Sequence, residues 1–151
     1  MSADATVTKD LIQTAEDGKD GYAKGAEKLD DSDAPDLAAT FRRYSQQRAG
    51  FSSDLRDLAK EYGDDIDKGG SVAAAAHRGW MAIKDAVAGS DDPSGVLDAA
   101  EQGEDHALKE YDKALSADIS PTLRAVVQRQ SVELEAAHDK IKSLRSAHNS
   151  R

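Results

Sequence analysis

Residues 37–62 read LAATFRRYSQQRAGFSSDLRDLAKEY, and one face of this stretch carries Leu37, Phe41, Tyr44, Arg48, Phe51, Leu55, Leu58 and Tyr62. The steps alternate between four and three residues, the spacing of a helix whose apolar seam faces the inside of a bundle. Arg48 falls in the middle of that seam. A guanidinium placed there must be paired, because an unpaired buried ion costs several kcal/mol or more. A second stripe, Leu97, Ala100, Glu104, Leu108, Tyr111 and Leu115, turns a carboxylate inward at the corresponding level. Arginine carries several N–H donors in a planar fork, and Glu104 can accept two of them as a bidentate pair. Gln130 on the core face of the last helix and the hydroxyls of Tyr44 and Tyr111 lie within reach. These five residues make a predicted polar core network that fixes helix register. A ligand site built on the same pair is the alternative.

Breaker residues divide the rest of the chain. The first helix spans about 6–29, with Val7, Leu11, Ala15, Gly18, Tyr22 and Leu29 on one face. The stretch Asp30-Asp31-Ser32-Asp33-Ala34-Pro35 supplies capping side chains and an early-turn proline, so the second helix runs over about 35–62, with Gly63 closing it. After a polar linker, 64–71, an alanine-rich crossover helix occupies about 72–88. Pro93 opens a helix over about 93–115, and Ser120-Pro121 opens the last, over about 121–147. Sustained period-two alternation is missing, so the chain reads as all-α and as a single domain, 1–151.

Connection lengths set the topology. Helices one and two, and helices three and four, are joined by short turns, which makes two antiparallel hairpins. A helix of about 26 residues is roughly 39 Å long at 1.5 Å per residue. The stretch between Gly63 and Pro93 is long enough to cross that distance. Two hairpins joined by one long crossover make a ferritin-like four-helix bundle.

Particular residues make the resemblance more specific. They are Asp10-Leu11-Ile12, Glu16-Asp17-Gly18 and Gly21-Tyr22 on helix one, with Gln47-Arg48-Ala49, Phe51 and Leu55 on helix two. His77-Arg78-Gly79-Trp80 in the crossover, Gly103-Glu104-Asp105 with Tyr111, and His138-Asp139 with Ile141 and Leu144 complete the set. Together they resemble a bacterial ferritin-like four-helix-bundle family classed as a domain of unknown function. The resemblance covers nearly the whole chain and implies the fold and a bacterial source. It brings no established activity, and fold alone cannot supply one.

A di-iron centre on this fold needs carboxylates from all four helices and two Glu-x-x-His pairs. Only Glu135-Ala136-Ala137-His138 has that form. The apolar face of its helix is Leu123, Val127, Gln130, Leu134, Ala137, Ile141 and Leu144. Glu135 points roughly 120° from the centre of that face and His138 roughly 65°. Glu16 and Asp17 also point away from the stripe of helix one, and Arg48 stands where helix two would supply a ligand. The expectation is therefore no metal and no cofactor; the alternative is a reduced site for iron or another divalent metal on Glu101, Glu104 and His138.

Other features read as packing. Gly18, Gly21 and Gly25 share a face of helix one and let a neighbouring backbone or the rings of Tyr22 and Tyr44 approach closely, or else line a small-ligand cleft. Trp80 pins the crossover helix, and His77 has no evident nucleophile or acid beside it. The Asp64-Asp65-Ile66-Asp67 run lacks EF-hand spacing. Phosphate loops, nucleophile elbows and His-Glu-x-x-His helices are all missing.

Composition bounds the rest. The 151 residues carry a formal net charge of −9, contain no cysteine and are 32% charged. Disulfides and thiol chemistry are excluded, and an acidic chain is poorly suited to nucleic acid. The nearest basic cluster, Lys140, Lys142, Arg145 and Arg151, suits a helix C-terminus. Neither a membrane span nor a secretory leader is predicted, which favours the cytoplasm. The sequence thus predicts no catalytic residues. It predicts a non-catalytic structural, stress-associated or interaction protein, with a homo-oligomer or protein partner; a metal-binding protein or oxidase with a reduced site is the alternative.

Overall fold

A computed structural model describes residues 2–61 and 92–149. Among these residues there are four α-helices and no strand: α1 (Ala3–Asp31), α2 (Pro35–Ala59), α3 (Pro93–Leu115) and α4 (Pro121–Asn149). The predicted crossover helix, Trp80, His77, the 64–67 acidic run, Tyr62 and Gly63 lie outside the described residues.

The helix ends follow local chemistry. α1 begins earlier than its apolar pattern suggests, because the Ser2 hydroxyl caps it by accepting from Ala5 N at 3.1 Å. The turn into α2 departs from the expected capping: Ala34 is the N-cap and has no side chain to offer. Ser32 instead donates to Lys28 O at the end of α1, while Asp33 takes a φ of 59°, a left-handed conformation that aspartate tolerates. Pro35 then presets the first turn of α2. At α3 the Asp92 carboxylate accepts from Ser94 N at 3.0 Å, and at α4 the Ser120 hydroxyl accepts from Leu123 N at 3.3 Å.

α1 packs most extensively on α2, α3 on α4, and α1 on α3, with a lighter seam between α2 and α4. α2 and α3 therefore sit across a diagonal. Two apolar clusters fix the directions. One gathers Leu11 and Ala15 of α1, Phe51 and Leu55 of α2, Tyr111 of α3 and Leu123 and Val127 of α4. The other gathers Tyr22 and Leu29, Phe41, Val96 and Leu97, and Ile141. α2 and α3 run from the second cluster to the first, while α1 and α4 run the other way.

The α4 face is as the period predicts: Leu123, Val127, Gln130, Leu134, Ala137 and Ile141 are buried, and Glu135 is exposed. α1 is different. Besides its apolar stripe it buries Asp10, Thr14, Asp17 and Gly21, so more than one face is covered and Asp17 is not solvated as its angle suggests. The Thr14 hydroxyl returns to Asp10 O at 2.9 Å, and Gln13 donates to Asp17 Oδ1 at 3.0 Å.

Candidate functional site: a charged layer across the core

Between the two apolar clusters each helix contributes one residue at the same level. They are Gly18 on α1, Arg48 on α2, Glu104 on α3 and Ala137 on α4, all buried. The diagonal helices supply the charges and the other two supply small residues. An arginine side chain is long enough to cross the diagonal, and missing side-chain volume opposite it leaves the passage. A Cβ at Gly18 would stand 3.1 Å from Arg48 Nη1 and 3.3 Å from its Cγ. The close packing expected at the helix-one glycines is thus made at Gly18 by the Arg48 side chain rather than by a backbone or a tyrosine ring. Gly25 is filled by Phe41, whose ring atoms would lie 2.7 Å from an added Cβ.

Arg48 is 2% exposed and Glu104 0%. Nη2 alone meets both carboxylate oxygens, Oε2 at 2.8 Å and Oε1 at 2.6 Å. The expected two-nitrogen fork does not form, because Nε donates to Gln47 Oε1 at 3.1 Å and Nη1 lies against Gly18. The guanidinium also sits 5.3 Å from the centre of the Tyr22 ring and 5.9 Å from that of Phe51, inside cation–π range. Burial opposes its charge, but the Glu104 carboxylate, with Tyr22 and Tyr111, outweighs burial and holds the Arg48 pKa above its ordinary value.

The other members of the predicted network divide. Tyr111 donates to Gln130 Oε1 at 2.6 Å, and Gln130 Nε2 donates to Phe51 O at 3.2 Å. Gln130 thus serves Tyr111 and the α2 backbone rather than Arg48 or Glu104. Tyr44 is half-buried, with its ring 5.4 Å from that of Tyr22. Spacing marks Tyr22 only as an inward-facing ring; its buried hydroxyl lies beside Glu104. Glu104 Oε1 is held by its ion pair with Arg48 Nη2, and the Tyr22 hydroxyl is closed off from water next to that carboxylate. Burial first, and then the negative charge of Glu104, push the Tyr22 phenol well above its ordinary pKa.

The three residues of the metal alternative are each engaged separately. Glu104 holds Arg48, and Glu101 holds Arg145 Nη1 at 2.5 Å, with Asp98 on the Nε of the same guanidinium. His138 Nε2 lies 2.7 Å from Asp105 Oδ1, and Nδ1 lies 3.5 Å from Asp139. Among the described residues no three His, Asp or Glu side chains converge as a metal ion requires. A divalent cation at Glu104 would also meet the Arg48 charge directly, so this donor set does not fit a di-iron centre.

The family described as Domain of unknown function (DUF2383) matches residues 5–117. The chain belongs to the DUF2383 family. The match takes in Gly18, Arg48 and Glu104, and ends before α4. No curated protein matches the chain. Among the described residues no helix is long and apolar enough to cross a membrane.

Proposed function

We propose that this DUF2383 protein is a non-catalytic, ferritin-like bundle of bacterial origin in which a buried arginine–carboxylate pair takes the place of a metal centre. It works by association in the cytoplasm, as a homo-oligomer or with a protein partner, in a structural or stress-associated role. The ferritin-like topology is supported by the parallel course of α2 and α3, which a crossover between the hairpins accommodates. The observation that carries the functional reading is the closed contact of Arg48 with Glu104: the inward carboxylate best placed to hold a metal already holds a cation. Glu101 and His138 support the same reading, since each is engaged by a different partner.

Elemental analysis by mass spectrometry tests it, on protein incubated with iron, manganese and zinc and then desalted. Metal far below stoichiometry in both wild type and Arg48→Met is expected. A stoichiometric metal content that is lost on Glu104→Ala overturns the reading in favour of iron or another divalent metal on Glu101, Glu104 and His138. Light scattering after size exclusion then measures the assembly, for which a species larger than the monomer is expected.

A further inference from the structure

α4 carries a second patterned face, turned away from the bundle. Opposite its core positions, Ala125, Val132, Ala136 and Ser143 are all exposed and lie within about 40° of one line at 100° per residue. Among the described residues Val132 is the one large apolar side chain left exposed, at 70%. With Arg129 and Asp139 these positions advance in alternating steps of four and three, the spacing of a coiled-coil seam. Lysine and glutamate, the ordinary residues of a solvated helix face, stay out of that line.

They stand on its two flanks instead, Glu133 and Lys140 on one side and Glu135 and Lys142 on the other, all exposed. Arg129, Asp139 and Arg145 each have an ionic contact within the chain, but these four make no ion pair among the described residues. On each flank the acid precedes the base by two turns, roughly 10 Å along the axis, whereas charges on one helix pair at three or four residues. Their partners must come from another molecule.

We propose that this face docks on the same face of a second copy of the chain, with the two α4 helices antiparallel about a two-fold axis level with Ala137 and His138. The inference rests on the proposed action by association and assigns it a surface. Reversing the helix direction brings Glu133 beside the partner's Lys140 and Glu135 beside the partner's Lys142, and the two-fold repeats both pairs. In the seam Val132 meets the partner's Ser143 and Ala136 meets the partner's Asp139, with short side chains that let the helices approach closely. A parallel, in-register pair would set Arg129 on the partner's Arg129 and Asp139 on the partner's Asp139, like charge on like charge. One helix face about 32 Å long covers less than the roughly 800 Å² per partner of a standard interface, so the dimer is a reversible one.

Sedimentation equilibrium of the intact chain tests the proposal. A concentration-dependent monomer–dimer equilibrium is expected. Val132→Glu, at an exposed position, should leave the melting temperature unchanged and raise the dissociation constant at least about tenfold. Lys140→Glu with Lys142→Glu should weaken self-association by a similar factor, as should Glu133→Lys with Glu135→Lys. Mixing these two double variants should restore a dimer with one chain of each. The chain has no cysteine, so oxidative cross-linking of single-cysteine variants reads the orientation: Val132→Cys should link to Ser143→Cys and not to itself. Self-linking of Val132→Cys, no recovery on mixing, or association indifferent to Val132→Glu and to the charge reversals would each overturn this face while leaving association itself standing. A chain that stays monomeric at every concentration overturns both this face and the homo-oligomer reading behind it.

Discussion

Two arginines grip carboxylates on the same helix, α3, in opposite surroundings. Arg48 reaches Glu104 across the bundle diagonal, through an interior closed to water. Arg145 reaches Asp98 and Glu101 from the neighbouring α4, at the rim of the bundle, where Arg145 and Asp98 stay partly exposed to water. The groups are chemically alike, but their energetic roles differ. Desolvation makes the inner pair costly to assemble and more costly to break, while the outer cluster exchanges protein contacts for hydration at little net change. Lys140 and Lys142 stay exposed, while Arg145 in the same basic cluster is paired with α3.

The sharpest way to break this contrast is to remove one inner partner. Arg48→Ala strands the Glu104 carboxylate and should destabilise the fold by about 3–5 kcal/mol, lowering the melting temperature on the order of 10 °C. Replacing both, as Arg48→Met with Glu104→Leu, should recover most of that loss, because well-packed apolar side chains replace a buried pair at little cost. An unchanged melting temperature for Arg48→Ala would show that the inner pair is energetically equivalent to the outer one. A neutral buried contact should fall between the extremes. Tyr111→Phe removes the donor to Gln130 Oε1 and should cost about 1–2 kcal/mol, measured by denaturant unfolding.

A smaller effect is expected at His138, which lies between the two regimes. Burial lowers its pKa, but the hydrogen bonds to Asp105 and Asp139 outweigh burial and raise it above the ordinary 6.5. A raised folded-state value means that the contribution of His138 is full below pH 6.5 and is lost as pH rises through the raised value. The melting temperature of wild type minus that of His138→Gln should accordingly shrink with rising pH. Arg145→Ala should have the smallest effect, a change close to experimental error that disappears in high salt as screening removes the attraction.

How much of this was legible in the sequence depended on how many faces of each helix are covered. α4 has one buried face, and its period marks every buried position from Leu123 to Ile141. α2 likewise places Phe41, Arg48, Phe51 and Leu55 inward from spacing alone. On α3 the alanine and glycine positions blur the edge: Ala107 and Gly103 are buried where Leu108 is only partly so. α1 was the least legible, because Asp10, Thr14 and Asp17 look like a solvated face although they repeat at helical spacing with Gly21. That small and polar repeat was the available signal for a second buried seam. In the charged layer, spacing brought Arg48 and Glu104 to one level. The one-nitrogen contact and the turn of Gln130 toward Tyr111 depend on side-chain torsions and on Gln47 and Gly18, which a stripe does not encode.

Arg48 and Glu104 are 56 residues apart in the chain and belong to different hairpins. While the α1–α2 hairpin stands alone, its guanidinium keeps its water, and the carboxylate on α3 does the same. Both shells of water must be shed in one event, when the hairpins close on each other. The layer therefore acts as a latch on cooperativity: neither hairpin can seal its own half of the interior, and the two halves gain a dry core only together.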